Sequence, residues 1–113
     1  MPDATLRFLV LVPLMLLSKV VLAQETATKE INADRALTEL LDQVWDFELE
    51  SSPLLATNVG DPRGQNRLAD DSLRAIQKRA DQRSEFLERL NKISVDDLNE
   101  GKQIDHELLR QRL

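Results

Sequence analysis

Four stretches of this chain repeat their apolar residues at the period of an α-helix. None alternates apolar with polar positions for more than a few residues, so the pattern predicts an all-α protein of about four helices. The first helix should take Asn32 or Asp34 as its cap and run to about Glu50, where Ser51-Ser52-Pro53 stops it. At 100° per residue, Ala36, Leu37, Leu40, Leu41, Val44, Trp45, Phe47 and Leu49 cover an arc of roughly 220°. That is wider than one or two neighbouring helices can cover, so part of it should stay wet. Within the arc, Glu48 breaks the pattern near a helix C-terminus, where an anion is already disfavoured. Either it pairs with Arg63 or Arg67 of the following loop, or the helix frays and Glu48 meets water.

The second helix is short, Pro53 to Val59, with Ser52 as cap, Pro53 at the first position and Gly60 as a left-handed stop. A loop of turn formers follows in "GDPRGQNRLAD". The third helix should run from Asp71 or Ser72 to about Lys92. Its residues Leu73, Ile76, Ala80, Arg83, Leu87 and Leu90 are spaced 3, 4, 3, 4, 3, a heptad seam of period 3.5 that implies a shallow, left-handed crossing against a neighbour. Arg83 is expected to lay its stem across that seam and reach water. Glu85 with Arg89 and Glu88 with Lys92 stand at i,i+4 in the favourable order. Ser94 to Asp97 resembles a capping box, and a fourth helix should run from about Glu100 to the C-terminus. It offers two apolar pairs, Ile104 with Leu108 and Leu109 with Leu113, on faces that both want partners. No terminator follows Leu113, so this helix is expected to be cut in mid-course.

Ahead of the helices, "RFLVLVPLMLLSKVVLAQE" reads as an export signal: a basic residue, Arg7, then an apolar run from Phe8 to Leu17, then Val21-Leu22-Ala23 as the cleavage pattern. Residues 1–23 are therefore expected to be removed, residues 24–33 to form a flexible polar leader, and residues 34–113 to form the helical part. Ten apolar residues are about half of the roughly 20 that span a bilayer, which disfavours the alternative of a retained anchor. The expected location is periplasmic or secreted, with no membrane association after cleavage.

Composition narrows the function classes. The chain has 113 residues, enough for one small domain at most. It has no Cys, which excludes both a disulfide framework and a lipid-modified cysteine. Loss of Asp3, Arg7 and Lys19 with the signal takes the net charge from −5 to −6, with basic residues interleaved among acids; that is a poor surface for nucleic acid. The single histidine, His106, stands in "DHELLRQRL". A zinc site of the H-E-x-x-H type needs a second His at position 110, which is Arg, so His106 is expected to be a half-exposed helix residue. No nucleophile-base arrangement can be assembled, and "GDPRG" lacks the spacing and following Lys-Ser/Thr of a phosphate loop. The pairs Asp70-Asp71 and Asp96-Asp97 precede helices and read as caps. The residues thus assign no catalytic, cofactor-binding or metal-binding position.

The stretch "WDFELESSPLLATNVGDPRGQNRLADDSLRAIQKR", with "FLERLNKISVDDL" and "IDHELLRQRL" after it, resembles the beginning of a large bacterial family, domain of unknown function 885 (DUF885). Ser52, Pro53, Ala56, Thr57, Gly60 and Asp61 fit its S-P-x-x-A-T-x-x-G-D element. Arg67, Leu68 and Asp70 fit R-L-x-D, and Asp105, Leu108, Leu109, Arg110 and Leu113 fit D-x-x-L-L-R-x-x-L. The resemblance implies an exported helical protein several hundred residues long, similar to zinc metallopeptidases that act on peptides. In those, two His and a Glu hold the metal and the motif Glu activates water. Those elements lie downstream in the family and carry over onto no residue here. The resemblance therefore implies an inactive N-terminal segment whose partner is the remainder of the full-length protein. The alternative is a small exported helical module for binding or self-association.

Overall fold

A computed structural model describes residues 3–113, and side chains from residue 19 onward. The expected export signal, residues 1–23, lies for the most part outside the described side chains. The described residues form four helices: α1 (Asp3–Ser51), α2 (Pro53–Asn58), α3 (Leu73–Asn91) and α4 (Glu100–Arg112). Short 3-10 turns at Pro62–Gly64 and Val95–Asp97 join them, and no strand occurs among the described residues. No helix of the described residues is long and apolar enough to cross a membrane.

The expected start at Asn32 or Asp34 is corrected, because α1 continues without a break through the segment read as a flexible leader. The segment is polar, yet Gln, Glu, Lys and Ala are good helix formers and no Gly or Pro interrupts them. The Thr26 and Thr28 hydroxyls donate back to the carbonyls of Leu22 and Gln24, at 3.0 and 2.8 Å. Residues 19–32 are all exposed. Tertiary packing begins at Ala33.

Cross-helix bonds establish the topology. Asp34 of α1 meets Asn99 at the start of α4, and Glu48 meets Arg112 near its end, so the two helices run parallel. Gln43 meets Arg89 and Glu48 meets Arg83, so α3 runs antiparallel to α1. The core lies between the three: Leu37, Leu40 and Val44 of α1, Phe86 and Leu90 of α3, Leu98 of the connection and Leu109 of α4. Phe47 packs edge-on against Phe86, with centroids 5.5 Å apart. As expected, the apolar arc of α1 is only partly covered: Ala36 is exposed and Trp45 remains 45% exposed.

The antiparallel register corrects the expected seam on α3. With Glu48 level with Arg83, the last residue of α1, Ser51, stands level with about residue 80, and the first two turns of α3 overhang it. Leu73 and Ile76 are exposed there, and the half-buried positions are Ala75, Arg79 and Gln82 instead. The seam holds only from Arg83 onward. The expected pairs Glu85–Arg89 and Glu88–Lys92 do not form: Arg89 donates to Gln43 at 2.8 Å and lies over the Phe86 ring, while Glu85 accepts from Gln82.

Side chains cap three helices, two of them, at Ser52 and Ser72, where the sequence places a cap. Ser52, Ser72 and Asn99 accept from the backbone N–H groups of Leu55, Ala75 and Lys102. Ser94 does not cap with its side chain, so the expected capping box is replaced by Asn99, which Asp34 holds by accepting from both its backbone and side-chain nitrogens. Gly60 is the left-handed residue after α2, with φ of 80°.

Candidate interaction surfaces

The loop after α2 is fastened to the end of α1 by two rungs of a ladder. The Arg63 guanidinium donates to Asp46 at 3.2 Å and to Asp61 at 2.9 Å, and Arg67 donates to the Glu50 carboxylate. Asp46 and Glu50 are four residues apart, as are Arg63 and Arg67, so one loop register satisfies both rungs. The two carboxylates sit at the negative end of α1, where cations are favourable neighbours. The Arg63 side chain and backbone N–H hold the Asp61 carboxyl below its ordinary value. The Ser72 backbone N–H, then its hydroxyl, lower that of Asp70.

Gly64 seats the loop on α2. A Cβ there would stand 2.2 Å from the Pro53 carbonyl oxygen and 2.8 Å from the Thr57 nitrogen, so only glycine permits this approach. Between the ladder and α3 lies a groove of about 560 Å³, walled by Phe47, Pro53, Leu68 and Ala75 and by charged residues of both signs. Its three arginines are engaged, Arg79 through the Asp70 carbonyl at 2.7 Å. Its lining is close to electrically balanced, which selects for no ligand charge.

Glu48 does not follow either expectation. Its carboxylate, 13% exposed, lies 3.3 Å from Arg83 of α3 and 3.6 Å from Arg112 of α4, so one acid joins all three helices. Arg63 and Arg67, the expected partners, go to its neighbours two residues to either side. Arg83, expected to reach water, instead bonds Glu48 and lies 5.6 Å over the Phe47 ring.

His106 is corrected from half-exposed to 1% exposed. It stands three residues before Leu109 and shares that inward face, with ring Nε2 3.2 Å from the Leu90 carbonyl oxygen at the end of α3. That spacing was the signal for burial. The residues here do not fit a zinc ion: Nε2 is engaged, the Glu107 carboxylate accepts from Gln111, and Arg110 extends towards Asn91. Among the described residues no three His, Asp or Glu side chains converge as ligands.

The remaining surface of note lies where α1 and α4 run side by side. A cleft of about 300 Å³ between them is lined by Leu41, Val44, Trp45 and Leu109, with Asp42, Glu48 and Arg112 also on its wall. The parallel register puts Leu108 level with about Val44 and Ile104 with about Leu40, and neither lines the cleft. Ile104 and Leu108 are 63% and 60% exposed. Of the two apolar pairs on α4, Leu109 is buried with Leu113 packed beside it, and Ile104 with Leu108 has no covering element among the described residues. No family model, curated protein or solved structure matches the chain.

Proposed function

We propose that this chain is a non-catalytic helical packing segment: the N-terminal part of an exported protein of the DUF885 type, similar to zinc metallopeptidases, with the catalytic residues supplied elsewhere. Ser52, Pro53, Ala56, Thr57, Gly60 and Asp61, with Arg67, Leu68 and Asp70, support this reading by their likeness to the family's elements. The observation that carries it is unburied apolar surface on two helices, Trp45 lining the cleft on α1 and Ile104 with Leu108 on α4, which suits a further helix more than water. Sequencing the gene beyond the Leu113 codon tests it. An in-frame continuation of several hundred codons reaching H-E-x-x-H supports the proposal, and an immediate stop codon refutes it. Export with cleavage after Ala23 belongs to the same reading. N-terminal sequencing of the exported protein should begin at Gln24.

The same surface favours a second reading, a self-associating exported module. Trp45 is the only tryptophan and lines the cleft. Under this reading its emission should shift to the blue as concentration rises, together with dimer mass by light scattering. Concentration-independent, solvent-like emission from a monomer refutes it.

A further inference from the structure

We draw no further inference here: the strongest candidate, the exposed apolar pair Ile104 and Leu108 on α4, is an unpartnered face, and nothing in the structure shows what covers it.

Discussion

Replacing Glu48 by Gln tests the three-helix junction most directly, because the amide keeps the shape and removes only the charge. At 3.3 Å, the Glu48–Arg83 attraction between unit charges is about 5 kcal/mol at an effective dielectric of about 20. Desolvation and side-chain ordering offset most of that. The arginine side chains are 38% and 55% exposed, so each pair should contribute about 1 kcal/mol net. Glu48→Gln should therefore lower stability by about 1–2 kcal/mol, since two guanidinium groups then face one another without a counter-charge. For a domain of this size each kcal/mol moves the melting temperature by about 4–8 °C. A double-mutant cycle with Arg83→Ala, read by thermal unfolding, should give a coupling of about 0.5–1.5 kcal/mol, weakening in 1 M salt. The cycle of Glu48→Gln with Arg67→Ala should be additive within about 0.5 kcal/mol. No coupling to Arg83, with clear coupling to Arg67, would refute the assignment.

The two loop glycines should behave differently. Gly64→Ala places a methyl group against backbone atoms that cannot move aside and should cost about 3 kcal/mol or more, whereas Gly60→Ala meets open space and should cost only about 1–2 kcal/mol of left-handed strain; urea titrations of both variants rank them. Because the Asp61 carboxyl is held below its unfolded value, it stabilises the fold above about pH 4, and that contribution fades as pH falls through the folded value. The melting-temperature gap between wild type and Asp61→Asn should accordingly shrink from pH 6 towards pH 2, and a gap independent of pH would contradict this. His106→Ala opens a buried cavity and should cost about 2–4 kcal/mol by chemical denaturation. His106→Leu should cost less, because the Leu90 carbonyl still accepts from the Ile93 N–H at 3.0 Å.

The helices from Glu100 onward and from Pro53 were legible because each carries its own local stop or cap. Ser52, Ser72 and Asn99 cap within three residues of themselves, and Gly60 supplies positive φ where α2 must end. Helix length and register were not legible by the same means. A polar segment such as Gln24 to Ala33 is ambiguous between coil and exposed helix, since both leave it wet. The seam on α3 was sound as a period, yet which part of it is buried depends on where α1 ends beside it. Long-range partners separated the readings most. Glu48 was recognised as misplaced, but nothing local distinguishes Arg83, 35 residues away, from Arg63 or Arg67. A signal for the ladder did exist, in the matched spacing of Asp46 and Glu50 with Arg63 and Arg67.

The parallel placement of α4 beside α1 has a kinetic side. The ladder closes spans of 17 residues, the α1–α3 bonds spans of 35 and 46, and the Asp34–Asn99 clasp a span of 65. Going from 17 to 65 is about two doublings of loop length, or about 1.2 kcal/mol of added closure entropy. The bonds of α4 to α3 close spans of only 16 and 19 residues, so the loop ladder and the α3–α4 hairpin should form first and the pairing of α1 with that hairpin last. The reverse order governs opening, in which α1 parts from α3 and α4 before those two part from each other. The surface that carries Ile104 and Leu108 then belongs to an α3–α4 hairpin that swings away from α1 as one piece, taking with it whatever grips that surface.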